Sequence, residues 1–306
     1  MNKIPLISIC VPSYKRPVEI KETLLSIVTQ FTEQIKDKIE IVVSDDAGSD
    51  VEGVIKPLMK KYPQIRYYKN KINMRFANGL IANSLGTGKY ILSLSNDDSL
   101  TYFSLQYLIE IIEKTNFDFL LHKPIFTADM SITIEKPDNQ YTVYHGVREY
   151  IDSLSARYHT YNDLISYFSF NSVMVTKASY RHESYSKIDK EKVFANEFPQ
   201  EFPPYFDLRD KVIVLADAPF LKGRLLNACY SGSYKLIRSF KETMEFIEKQ
   251  NNLTGLSSWE NIKRICILGW NRTMYIAMIL QFFRLDYKKS GLTRRGYKIF
   301  KKYIQQ

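Results

Sequence analysis

The chain of 306 residues is short of several features that would fix its class at once. Its three cysteines, Cys10, Cys229 and Cys266, lie far apart in apolar surroundings, which excludes a disulfide framework or a cysteine-based zinc site and predicts buried small hydrophobes. The four histidines, His122, His145, His159 and His182, show no ligand spacing, and none is assigned to a metal. Met1-Asn2-Lys3-Ile4-Pro5 leads straight into a strand-like run, without an apolar segment of signal length or a small-residue cleavage site. The expectation is a chain that stays in the cytoplasm. Asn252-Leu253-Thr254 and Asn271-Arg272-Thr273 fit the glycosylation sequon and are accordingly read as chance matches. Internal repeats and low-complexity segments are missing. At 45% hydrophobic content the chain is too polar for several membrane spans, yet it can bury a full core as one large domain with an appendage or as two domains.

Acidic residues are scarce at one end. From Trp259 to Gln306 there are eleven Lys or Arg residues against Glu260 and Asp286, so nine of the ten net positive charges belong to this tail. Within it, Ile262 to Phe283 is apolar for much of its length, but Lys263, Arg264, Asn271 and Arg272 leave an apolar stretch too short to span a bilayer. Two outcomes are open: the basic, aromatic tail lies on an anionic membrane surface, or it packs on the rest of the protein with its basic face solvated.

The first part of the chain is organised differently. Strand-like runs at Leu6 to Val11, Ile39 to Val43, Ile65 to Tyr68, Tyr90 to Leu94 and Phe117 to Leu121 alternate with amphipathic helix patterns. The helices are expected at Val18 to Thr29, Val51 to Lys61, Phe76 to Leu85 and Ser99 to Lys114. Alternation of this kind predicts a mostly parallel sheet with helices on both faces and a ligand outside the carboxyl ends of the strands. Three polar loops fall at those ends.

In the first loop, Pro12 and Pro17 bound a rigid turn in which Tyr14, Lys15 and Arg16 offer a stacking ring and cations to a nucleotide. The second, Ser44-Asp45-Asp46-Ala47-Gly48-Ser49-Asp50, presents Asp45 and Asp46 to a base N–H or a ribose hydroxyl, and Asp50 reads as the N-cap of the next helix. In the third, Ser95-Asn96-Asp97-Asp98, two adjacent carboxylates at the mouth of a buried strand repel each other and lose hydration, which favours a site where a cation compensates them. Asp97 and Asp98 suit a divalent ion that also holds phosphates; alternatively they cap the helix expected from Ser99. Gly86-Thr87-Gly88-Lys89 lacks the glycine spacing of a phosphate-binding loop and precedes a strand, so it is read as a helix end and turn.

Taken in order, the three loops, together with the stretch Asn73-Met74-Arg75-Phe76-Ala77-Asn78-Gly79, resemble the nucleotide-sugar-binding half of glycosyltransferase family 2 over residues 5 to 125. The resemblance implies an α/β, GT-A (Rossmann-like) fold, with a mostly parallel central sheet flanked by helices and a helical basic C-terminal region. It implies three parts: 1–125 as the nucleotide-sugar-binding half, 126–230 as the acceptor-binding half, and 231–306 as the basic region, a candidate for membrane association. Pro12 and Tyr14 match the loop beside the nucleotide, to which Arg16 adds a donor-binding cation by its charge, and Asp45 or Asp46 matches the carboxylate that contacts the base. Asn78 matches the Asn-rich segment that reaches the donor, while Asp97 and Asp98 match the signature for ribose and a metal-bridged diphosphate. Ser95 replaces an Asp present in many members, a form similar to that of abequosyltransferase-like ones.

The implied activity is transfer of a sugar, with inversion, from a nucleotide-diphosphate donor to a saccharide or lipid-linked acceptor in bacterial surface polysaccharide synthesis. A divalent cation, Mn2+ or Mg2+, is the implied cofactor. Inverting relatives need a general base, and Phe194 to Pro204 sets carboxylates among aromatics and prolines, where burial raises their proton affinity. Glu197 is favoured there over Glu201 and Asp207. The 22 tyrosines and 18 phenylalanines offer walls for sugar faces, although most serve the core. Two other classes are weighed. A nucleotidyltransferase would want glycine in the loop from Val11 to Pro17, which has none, and a nucleic-acid-binding role for the tail lacks any recognised motif, so no nucleic-acid partner is expected.

Overall fold

The structure is a computed structural model and describes residues 4–47, 50–122, 125–127, 129–135, 138, 141–157, 175–187, 207–224 and 245–253. Its frame is an eight-stranded sheet in the order β3-β2-β1-β4-β9-β6-β10-β8. The strands are β1 (Ile7–Ser13), β2 (Ile39–Asp45), β3 (Ile65–Lys69), β4 (Tyr90–Ser93), β6 (Phe119–His122), β8 (Tyr141–His145), β9 (Val175–Lys177) and β10 (Val212–Ala216). Six of them share one direction, and β9 and β8 run against their neighbours, so the expected mostly parallel sheet is present with two reversed strands. A second sheet, β5-β11-β7, joins β5 (Ser99–Leu100), β11 (Leu221–Arg224) and β7 (Ile125–Thr127).

The helices are α1 (Pro17–Val28), α2 (Glu52–Lys61), α3 (Asn78–Leu85), α4 (Ser104–Thr115), α5 (Val147–Arg157) and α6 (Ala178–Lys187). Strand residues alternate between two apolar layers, as a period of two requires. Ile7, Ile9 and Val11 with Ile39, Ile41 and Val43 meet Ile20, Leu24 and Ile27 of α1, Ile55 of α2 and Leu108 and Ile112 of α4. On the other face Cys10, Val42 and Ile91 meet Ala82 of α3. Cys10 is the small buried hydrophobe expected, its thiol pushed up to about 12 by burial. No helix among the described residues is long and apolar enough to cross a membrane.

The helix expected from Ser99 begins five residues later, because Ser99 and Leu100 pair with β11 instead. The cap of α4 is Phe103, which removes the reading of Asp97 and Asp98 as its capping residues. Asp50 does not cap α2 either: Val51 holds that position without a side-chain bond. The Gly86-Thr87-Gly88 segment is the turn anticipated, and a buried carboxylate organises it. Glu40 accepts hydrogen bonds from the Ser8 hydroxyl, the Thr87 backbone N–H and hydroxyl, and Arg66 Nη1. Gly88 N–H donates to Ser8 Oγ at 2.6 Å, and a Cβ on Gly88 would stand 2.7 Å from the Ser8 backbone nitrogen. Only glycine allows that approach.

β1 leads outward to β2 and β3 on one side, while β4 lies on its other side. The strand order therefore reverses between β1 and β4, and a crevice opens there at the carboxyl ends.

Candidate active site

The loop after β1 is set by two consecutive left-handed residues, Lys15 and Arg16, both at φ 58°, followed by Pro17 in the first turn of α1. Side chains other than glycine enter that region at about 1–2 kcal/mol each, so the turn is held by its surroundings. Its effect is directional. Arg16 Nη1 pairs with Asp97 Oδ2 across the β1/β4 crevice, and Tyr14 remains 42% exposed with the Lys15 ammonium 5.2 Å from its ring centroid.

Asp97 and Asp98 lie in the loop between β4 and β5 and are held from three sides. The Ser95 hydroxyl donates to Asp97 Oδ1 at 2.5 Å. From α1, Thr23 Oγ1 donates to the Asp98 carbonyl at 2.6 Å. From β11, the Arg224 N–H donates to Asp98 Oδ1 at 3.1 Å and its Nε to the Asp97 carbonyl at 3.3 Å, while its Nη2 pairs with Glu22. The Asp98 carboxyl is buried and is pushed up to about 7, first by burial and then by the Asp97 charge, against smaller opposing effects of Arg224 and Arg16. A cation would relieve that penalty.

The second loop is used differently from the sequence reading. Asp46 accepts the Met74 N–H at 2.8 Å, the Arg75 N–H at 2.9 Å and Asn70 Nδ2 at 3.3 Å, so both its oxygens fasten the Asn-rich segment. Asn78 is buried; it donates to the carbonyls of Ser13 and Ser44 and accepts from the Ser44 hydroxyl and Asn70. Asn78 thus ties the ends of β1 and β2 to the start of α3, and Asp46 ties the loop after β2 to the segment that precedes that helix. Asp45 keeps spare capacity. Tyr67 donates to its Oδ2 at 2.6 Å, and its Oδ1 is buried without a hydrogen-bond partner among the described residues. Its register partner Ser13 carries a second such atom, Oγ. Burial and the bond to Asp45 raise the Tyr67 hydroxyl's pKa, which keeps it a donor.

Glu197 and Glu201 lie outside the described residues, as does the basic tail. Asp207 is removed as an alternative base. It precedes β10 at the amino edge, opposite the crevice, and its hydrogen bond from Arg209 holds its carboxyl below the usual value although burial opposes this. A base needs the opposite shift. His122 ends β6 buried against Phe220, whose N–H it accepts, and no cluster of three His, Cys, Asp or Glu residues able to hold a metal forms among the described residues. The residues do fit a divalent ion of the kind bound through one or two carboxylates plus substrate phosphates. Asp98 Oδ1 takes a single backbone bond, whereas both oxygens of Asp97 are engaged, so Asp98 keeps more capacity for such an ion than Asp97.

The sequence reading missed Arg224, Glu22 and Thr23. No local pattern marks them, and only the pairing of β11 with β5 brings Arg224 to the acidic loop.

A family model described as glycosyl transferase family 2 matches residues 8–188, more than half of the chain. The chain belongs to glycosyltransferase family 2. Abequosyltransferase RfbV of Salmonella typhimurium is 36% identical over 106 residues, covering 34% of this chain and 31% of that protein. An uncharacterized glycosyltransferase of Haemophilus influenzae is 27% identical over 138 residues, covering 44% and 40%. The matches thus span less than half the length of these family relatives. Among solved structures, S. aureus TarS 1-349 superposes with a TM-score of 0.57 at 15% identity over 94% of this chain and 74% of that one. The same protein in complex with UDP-GlcNAc gives 0.55 at 13%, again over 94% and 74%. Mannosyltransferase PcManGT from Pyrobaculum calidifontis, in complex with GDP-Man and Mn2+, gives 0.57 at 10% over 99% and 80%. At such identities the likeness establishes the fold, GT-A.

Proposed function

We propose that this family 2 member transfers a sugar from a nucleotide-diphosphate donor to a hydroxyl of a saccharide or lipid-linked oligosaccharide acceptor in bacterial surface polysaccharide synthesis, with inversion. The observation that carries the reading is the buried Asp98, raised in pKa beside Asp97 and faced by Arg16 at the β1/β4 crevice. The abequosyltransferase relative and the donor-bound GT-A structures support it.

On this reading Pro12 and Tyr14 lie against the nucleotide, and Asp45, steadied by Tyr67, takes a base N–H or a ribose hydroxyl. Asp46 and Asn78 serve the donor by fixing the strand ends and the Asn-rich segment. Arg16 and Asp97 border the diphosphate. Asp98, with Asp97 beside it, would hold a divalent cation, Mn2+ or Mg2+, which would supply positive charge against the departing diphosphate. Glu197 accepts the proton of the attacking hydroxyl as general base. Residues 1–125 form the donor half and 126–230 the acceptor half; the second half continues the sheet of the first through β9, β10 and β8. Residues 231–306, with their basic tail, rest on an anionic membrane surface beside lipid-linked acceptors.

The test is a thermal-shift panel of nucleotide diphosphates and their sugars, with and without Mn2+, on the intact protein and on Asp98→Ala. One nucleotide should stabilise the wild type more strongly with Mn2+, and the variant should lose that increment. Absence of any nucleotide effect on the wild type overturns the proposal. Glu197→Gln should keep donor binding while transfer falls by about 10²-fold, measured in a radiolabelled-sugar assay; full turnover removes it as the base. A chain truncated after Leu285 should stay in the supernatant when centrifuged with anionic vesicles that carry down the intact protein.

A further inference from the structure

We propose that Arg224 is a second diphosphate-binding cation, beside Arg16 at the acidic loop; the inference rests on the donor reading above. β11 pairs antiparallel with β5 through Leu221 opposite Leu100 and Lys222 opposite Ser99, and that register carries Arg224 alongside Asp97. Its Nε lies 3.3 Å from the Asp97 carbonyl and its backbone nitrogen 3.1 Å from Asp98 Oδ1. Arg16 Nη1 reaches Asp97 from the loop after β1. Two guanidinium groups therefore converge on the residues that hold the cation and, with it, the phosphates.

The partner of Arg224 suits exchange. Its Nη2 pairs with Glu22, whose side chain is 48% exposed, while that of Arg224 is 19% exposed. A pair at the solvent edge contributes little, whereas a planar guanidinium binds phosphate oxygens through two parallel charge-assisted bonds. Moving from Glu22 to a diphosphate costs little and adds a bidentate contact. Bracing the loop occupies the backbone N–H and Nε of Arg224, while its terminal Nη2 stands at the rim with Glu22.

The experiment is equilibrium binding of UDP, GDP, CDP and dTDP and their nucleosides, with Mn2+, to the full chain and to Arg224→Gln, Arg224→Lys and Glu22→Gln, each checked for folding by circular dichroism. For the diphosphate that the wild type prefers, Arg224→Gln should weaken binding by about 10- to 100-fold and leave the matching nucleoside within about threefold. Arg224→Lys should fall between, and Glu22→Gln should bind the diphosphate at least as well as the wild type. Equal losses for nucleoside and diphosphate in Arg224→Gln, no loss at all, or an equal loss in Glu22→Gln would each overturn the assignment. If the wild type itself binds no nucleotide diphosphate, the donor reading fails as well, and that outcome differs from the other three.

Discussion

Replacing Asp98 with Asn lowers sugar transfer by about 10³-fold and at the same time makes the cation-free protein more stable above pH 7. The two effects share one cause. Burial and the neighbouring Asp97 raise the Asp98 carboxyl from 3.8 to about 7, so between those values the folded protein holds a proton that the unfolded chain has released. Stability contributed by this group is complete below pH 3.8 and is lost as pH climbs through 7. Asn keeps an oxygen for the Arg224 N–H and has no charge to bury. The variant should gain on the order of a few kcal/mol over the cation-free wild type at pH 8, and none near pH 3.8. Urea unfolding at several pH values, with and without Mn2+, measures this. Mn2+ should restore stability to the wild type alone; equal stabilisation of both proteins would place the cation elsewhere.

Glu40→Ala should cost roughly 3–5 kcal/mol of stability and lower the melting temperature by roughly 10 °C. Removing this carboxylate strands the Ser8 hydroxyl and the Thr87 backbone N–H and takes from the Arg66 guanidinium its one carboxylate partner among the described residues, at the amino edge of the sheet. Its pH sign is opposite to that of Asp98. Burial works to raise its pKa, yet the bonds from Ser8, Thr87 and Arg66 together hold it below the ordinary 4.5. The contribution is present above pH 4.5 and is lost as pH falls through the lowered value, a loss that Glu40→Gln should not show. Calorimetric scans of the wild type and both variants between pH 3 and 7 would detect it. A Glu40→Ala protein that melts with the wild type would mean the turn is held by its glycines alone.

Much of the first half was legible in the sequence, because strand and helix periods are written locally. The first four strands and α1, α2 and α3 lie where the alternation places them, give or take a residue or two. The failures came where a distant segment decided. Ser99 and Leu100 fit a helix pattern but became β5 because β11, more than a hundred residues later, offers them a partner. What the linear reading lacked for Asp46 and Asn78 was their partners. In the fold their polar atoms are used by backbone groups of Met74, Arg75, Ser13 and Ser44.

Residue order by itself determined the parallel strands of the first half, the placing of three polar loops at strand ends and the pairing of Asp97 with Asp98, since each follows from neighbours within a few positions. Only the tertiary structure decided which carboxylates keep capacity for a ligand. Hydrogen-bond partners and burial are set by segments far apart in the chain: Arg16 and Arg224 reach Asp97 from 81 and 127 residues away. Asp98 acquires its raised proton affinity only when packing removes it from water beside a second charge.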